Sequence, residues 1–253
     1  MVQSFISIKK FASGPYSEIL GYPKATSRQL KSRISELEKL KIRSIALVGS
    51  TAIGKVAILG KGHVGVVVLA KRGSVRVALK IRRMDSQRDE MKRESRLLEL
   101  VNTVGVGPKM IDSSRNFLVM EYLDGIKISK WVKQLSGTGS SRKLKTTIRE
   151  VLEDCHKLDM LNFDHGELSD ISRHVIVGSS KTSLIDFESS STERRPSNVT
   201  STTQAIYIGS GIAKNVQKIY KNPSKADIIE ALRDYKKERT RESFKSLLKV
   251  LKL

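Results

Sequence analysis

Residues 56–81 read VAILGKGHVGVVVLAKRGSVRVALKI, and no other part of the chain restricts the fold as much. Gly60, Gly62 and Gly65 form a G-x-G-x-x-G pattern. In a dinucleotide-binding unit such glycines open a helix. Here Gly65 is followed by Val66, Val67, Val68 and Leu69, a run that favours a strand. The order excludes the dinucleotide reading. It fits a β-hairpin whose glycine tip lets backbone amides approach phosphates. Residues 71–74, Lys-Arg-Gly-Ser, supply the turn between two further strands.

The next segment adds charge to that scaffold. Val77 and Leu79 point to one face of their strand, and Ala78 and Lys80 to the other. Ser86 and Asp89 are expected to cap a following helix, on which Met91, Glu94, Leu98 and Val101 recur at 3-4-3 spacing. Glu94 thus falls on the inward stripe. A buried carboxylate needs a partner, or its pKa rises. Lys80 is the natural candidate. The segment FLVMEYLDG ends an apolar strand at Met120 and turns at Gly125.

Further on, Leu144, Ile148, Val151, Leu152, Cys155 and Leu158 predict an amphipathic helix after a loop at 136–143. His165-Gly166-Glu167-Leu168 follows, then Leu184-Ile185-Asp186-Phe187-Glu188. Glu167 and Asp186 both lie where strands end. Such a pair of carboxylates can hold Mg2+ and orient a hydroxyl. Residues 1–25 read as irregular, with Gly14, Pro15, Gly21 and Pro23 as breakers. Thr26 and Gln29 form a capping box for a helix carrying Leu30, Ile34, Leu37 and Leu40. Residues 188–203 read as loop. The rest reads as helix, with Ser224 and Asp227 at one cap. Strands with one helix, one more strand, then mostly helices make an α+β pattern with two lobes.

Lysine and arginine number 47 against 26 acidic residues, a formal charge of +21. That excess favours anionic partners: nucleotides, nucleic acid, acidic proteins or a membrane surface. Aromatic residues are 5% and no zinc finger, RNP aromatic motif or KH loop is present, which argues against a sequence-specific nucleic-acid reader. Cys155 is the one cysteine, so no disulfide or cysteine zinc site forms within the chain. With no signal-peptide pattern and no apolar run of membrane-spanning length, a cytoplasmic protein with no membrane partner is expected.

From Gly60 through Asp186 the chain resembles the protein-kinase superfamily. Within it, the chain resembles small atypical archaeal Ser/Thr kinases related to the Rio kinases and to the kinase subunit of the tRNA threonylcarbamoylation complex. The resemblance implies a bilobal fold: a helical extension over 1–55, a β-rich N-lobe over 56–120 with one helix, and a reduced, mostly helical C-lobe over 121–253. It implies ATP with Mg2+ or Mn2+ as cofactors. Gly60, Gly62 and Gly65 would cover the phosphates, and Val67 and Ala78 would line the nucleotide site. Lys80 would reach phosphate oxygens and pair with Glu94. Backbone groups from Glu121 to Leu123 would bond adenine, Asp186 would bind metal, and Glu167 would be the base.

Three departures from the family pattern stand out. Glu167 replaces the usual Asp, and the D-F-G triplet reads Asp186-Phe187-Glu188. The metal-binding Asn falls on Ser172 by count. It falls on His174 if Val175-Ile176-Val177 is the anchor. The implied activity is transfer to Ser/Thr of a protein substrate, with autophosphorylation. Nucleic acid or a ribosome is a possible partner on charge alone. The alternatives are a small-molecule phosphotransferase of the aminoglycoside- or choline-kinase kind and a weakly active nucleotide-binding, RNA-associated module.

Overall fold

The computed structural model describes residues 4–86, 90–209 and 211–253. The chain divides into two compact units, Met1–Asn102 with Pro108–Tyr122, and Thr103–Gly107 with Leu123–Leu253.

The first unit runs β1 (Phe5–Ser7), α1 (Ser17–Leu20), α2 (Ser27–Lys39), β2 (Ile42–Ala46), β3 (Thr51–Ile53), β4 (Val56–Ile58) and β5 (Gly60–Lys61). It continues with β6 (Gly65–Arg72), β7 (Val75–Arg82), α3 (Glu90–Asn102), β8 (Met110–Ser113) and β9 (Phe117–Glu121). Its main sheet is antiparallel throughout, in the order β1-β2-β6-β7-β9-β8, with β5 added to β6. Arg72 pairs with Val75, so Gly73 and Ser74 form the expected turn.

Alternation sorts the side chains. Val66, Val68 and Ala70 of β6 meet Val77, Leu79 and Ile81 of β7 and Phe117 and Val119 of β9 in one core. Leu30 and Leu37 of α2 enter the same core. The Thr26 capping box forms, with Thr26 Oγ1 accepting from the Gln29 amide at 3.3 Å and Gln29 Oε1 accepting from the Thr26 amide at 2.8 Å. Residues 1–25, read above as irregular, contain an edge strand and a short helix instead. They bury Ile8, Phe11, Ile19 and Leu20 in the shared core. Their apolar residues follow neither a helical nor an alternating period, so only tertiary contact reveals them. Asp89, expected as a helix cap, lies outside the described residues.

The second unit contains β10 (Gly125–Lys127), α4 (Ile128–Gln134), α5 (Ser140–Met160), α6 (Ile171–His174), β11 (Val175–Gly178) and β12 (Thr182–Leu184). It ends with α7 (Asn198–Gln204), α8 (Gly211–Ile219), α9 (Lys225–Glu238) and α10 (Arg241–Val250). Strands β10-β11-β12 make a small antiparallel sheet. The apolar stripe of α5 is buried over its whole length. That helix starts at Ser140, inside the expected loop, and α7 starts at Asn198, inside the stretch read as loop to 203. Ser224 Oγ caps α9 by accepting from the Asp227 amide at 3.1 Å. Among the described residues no helix is long and apolar enough to cross a membrane.

Leu37 is fully buried in the core that α2 shares with the sheet. Leu37→Ala is expected to cost about 2–5 kcal/mol. Urea unfolding measures it, and a neutral result would show that α2 is not part of this core.

Candidate active site

In the first unit the fold delivers a buried ion pair. Lys80 Nζ on β7 lies 2.7 Å from Glu94 Oε1 on α3, with side chains 4% and 6% exposed. Lys80 follows Leu79, whose side chain fills the core, so it projects from the other face of the sheet. Its stem runs across Gly65. A Cβ at Gly65 would meet Lys80 Cγ at 2.8 Å and Cε at 2.9 Å, so no larger residue fits unless the lysine moves.

The other residues expected on this side fall around that pair. Val67 pairs with both Lys80 and Gly60, and Ala78 is buried opposite Met120. The Gly62 amide donates to Gly65 O at 2.8 Å and closes the hairpin tip. Glu121 donates its amide to Lys109 O at 2.8 Å, so that N–H serves the sheet. The second unit resumes at Leu123.

The second unit brings together Glu167, His174 and Asp186. One ligand atom from each lies within 4.8 Å of the others. Glu167 is 38% exposed at its side chain, with Oε2 3.9 Å from His174 Nε2. Asp186 follows the end of β12 with φ 70, a left-handed conformation that costs a non-glycine residue on the order of 1 kcal/mol. Of the two residues considered for the family's Asn position, His174 joins this group. The Ser172 hydroxyl instead donates to Asp170. The remaining loop acids are also engaged, Asp170 with Arg173 at 3.1 Å and Asp164 with Arg194 at 2.9 Å.

His165 fixes the loop against the Asp186 segment. Its Nε2 lies 3.1 Å from Ile185 O, and its ring packs on Phe187 at 5.2 Å. A carbonyl only accepts, so Nε2 carries a proton. Burial and then the nearby His174 lower the His165 pKa to about 4. Gly166 has φ 86, and a Cβ there would meet Arg194 at 2.5 Å and Ser189 O at 2.8 Å.

A second set of residues, not singled out by sequence reasoning, holds this loop from behind. Asn198 Oδ1 accepts from the His165 amide at 2.9 Å, and its Nδ2 donates to Phe163 O at 2.6 Å and Asp159 Oδ1 at 2.8 Å. Asp159 Oδ2 accepts from the Tyr235 hydroxyl at 3.0 Å and the Val199 amide at 3.2 Å. The Tyr235 proton is committed to Asp159, so His156 Nδ1, 2.9 Å away, donates to Tyr235. A signal was present: Asp159 lies four residues after Cys155, on the buried face of α5.

The antiparallel sheet with its buried Lys–Glu pair, and the helical unit with its H-G-E and D-F-E turns, define a protein-kinase-like protein. Residues 71–202, just over half of the chain, match the RIO domain, and the chain belongs to that atypical serine/threonine kinase-like family. The match takes in Lys80, Glu94, Glu167, His174 and Asp186, and starts after the three glycines. The chain is also 28% identical over 99 residues to an uncharacterized protein of Methanocaldococcus jannaschii, which covers 39% of this chain and 81% of that protein.

Two outcomes test this arrangement. Asn198→Ala orphans buried donors and acceptors of the loop, each at about 1–3 kcal/mol, and a thermal melt should show the loss. His165 has its folded pKa below the ordinary 6.5, so the unfolded chain takes up the proton first. Its contribution is complete above pH 6.5 and declines as the pH falls toward 4, by about 3 kcal/mol in all. His165→Gln should flatten that slope in urea titrations at successive pH values, and an unchanged slope would refute the assignment.

Proposed function

We propose that this protein is an ATP- and Mg2+-dependent phosphotransferase, a small atypical Ser/Thr protein kinase that also phosphorylates itself. The observation that carries the reading is the Lys80–Glu94 pair, a buried cation held by a buried carboxylate beside a glycine hairpin. Two such charges are costly to bury. In kinases this pair positions the lysine on phosphate oxygens, which accounts for retaining it.

Asp186, with Glu167 and His174, offers two carboxylates and an imidazole, a donor set that fits a divalent cation. A cation bound there would neutralise charge developing on the transferred phosphoryl oxygens. Glu167 gives one oxygen to that group and keeps the other to orient an acceptor hydroxyl, whereas Asp164 and Asp170 face Arg194 and Arg173. It is one methylene longer than aspartate and partly exposed, so its carboxylate can reach solvent. Phosphoryl transfer depends mainly on positioning and electrostatics, and asks little of the base. The formal charge of +21 favours an acidic protein acceptor or one bound to nucleic acid.

Labelled ATP with Mg2+ or Mn2+ is the test, run over protein and metabolite acceptors to separate a protein kinase from a small-molecule enzyme. Lys80→Ala and Asp186→Ala are expected to abolish transfer, and wild-type rates in either would remove the assignment. Glu167→Gln is expected to lose roughly 10²–10⁴-fold in transfer while still binding ATP. Undiminished transfer by the folded variant would rule out a catalytic Glu167.

A further inference from the structure

We propose that His174, with Asp186 and Glu167, makes a mixed nitrogen–oxygen metal site that selects Mn2+ over Mg2+. Its use in catalysis rests on the phosphotransferase reading, whereas the selection itself rests on the donor atoms.

His174 is the unusual member. It is the last residue of α6 and enters β11 directly, so the short helix sets the direction of its ring. The residue is 7% exposed. Its Nδ1 is buried with no hydrogen-bond partner among the described residues. Its Nε2 faces Glu167 Oε2 at 3.9 Å, too far for a hydrogen bond. Neither ring nitrogen is spent on a hydrogen bond among the described residues, and Nε2 is the one turned toward an acid, so it is the atom a cation would take. Here the ring stands with two carboxylates, all three donors within 4.8 Å of one another. A cation among them would engage the imidazole and both acids.

The donor types decide which cation. Mg2+ demands oxygen ligands in near-ideal octahedral geometry and keeps several waters. Imidazole nitrogen suits first-row transition ions, and carboxylates and water suit Mg2+, Ca2+ and Mn2+. Between Mg2+ and Mn2+, the transition ion is the one that accepts a nitrogen donor beside two carboxylates and water. The all-oxygen alternative, with Ser172 as third ligand, is not built, because the Ser172 hydroxyl is turned to Asp170.

The experiment uses the full chain and Mn2+ alone as probe. Pulsed electron paramagnetic resonance of the Mn2+-loaded wild type is expected to show coupling to an imidazole nitrogen, and Mg2+ is expected to displace Mn2+ only in large excess. His174→Asn should erase the nitrogen coupling. It should also weaken Mn2+ binding by at least the roughly tenfold that losing even an outer partner of a ligand costs. No coupling in the wild type, displacement by equimolar Mg2+, or coupling that persists in His174→Asn would each overturn the proposal. The wild-type measurements do so even if the variant fails to fold. Labelled-ATP transfer run in parallel separates the two readings. Coupling without transfer under any ion sinks the phosphotransferase and supports the site. Transfer without coupling overturns the site alone.

Discussion

A carboxylate taken out of water must find donors inside the fold or lose its charge. Glu94, Asp159 and Asp164 are nearly fully buried, and what each recruits shapes the candidate site. Glu94 takes Lys80. Asp159 takes the Asn198 side chain and backbone, the Val199 amide and the Tyr235 hydroxyl. Asp164 takes Arg194 and the Ser197 amide. Burial still outweighs the donors at Asp159, whose pKa is raised. Apolar packing gives the second unit its helices, and these polar demands fix where α7 begins and how the loop at 163–167 is held.

The departures from the family pattern are connected through this scaffold. The segment between Glu167 and β11 decides which side chain arrives beside Asp186. Here that segment ends in α6, anchored by the fully buried Ile171. His174 therefore still arrives at the group containing Asp186. An imidazole is bulkier than the family's Asn side chain, and a glutamate reaches further than an aspartate. The longer acid and the larger ring stand within reach of Asp186 in one group. Ser190 and Asn198, from the far side of the Asp186 turn, bond the backbone of His165 in the same loop.

What could be read from the sequence was what repeats along it. The hairpin of β6 and β7, the stripe of α5 and the inward setting of Glu94 follow from periods of two and 3.6 residues. The choice between Ser172 and His174 stayed open because counting from Glu167 and anchoring on β11 disagree when a loop changes length. The partner of Asp159 was out of reach for another reason. Asn198 lies 39 residues away in a polar stretch, where an asparagine has the look of any loop asparagine. Only the anomaly at the other end, an acid on an apolar helix face, could have raised the question. The edge strand Phe5–Ser7 is three residues long, too short for alternation to register.

The N-terminal residues bear on the glycine hairpin more directly than an appended extension would. Tyr22 accepts from Lys61 Nζ at 2.6 Å, and its ring lies beneath the Arg83 guanidinium at 5.0 Å. Arg83 in turn donates to Gly62 O at 3.2 Å, and the Met84 amide donates to Tyr22 O at 2.7 Å. A glycine-rich tip has little intrinsic preference for one shape, since glycine restricts the backbone least. Here contacts from a segment distant in sequence restrict it. Gly65 must stay bare for Lys80 to cross it, and that demand fixes the base of the hairpin. Tyr22, through Lys61 and Arg83, fixes its tip. The same segment buries Phe11, Ile19 and Leu20 in the sheet's own core. The residues that meet the tip thus belong to the same compact unit as Lys80.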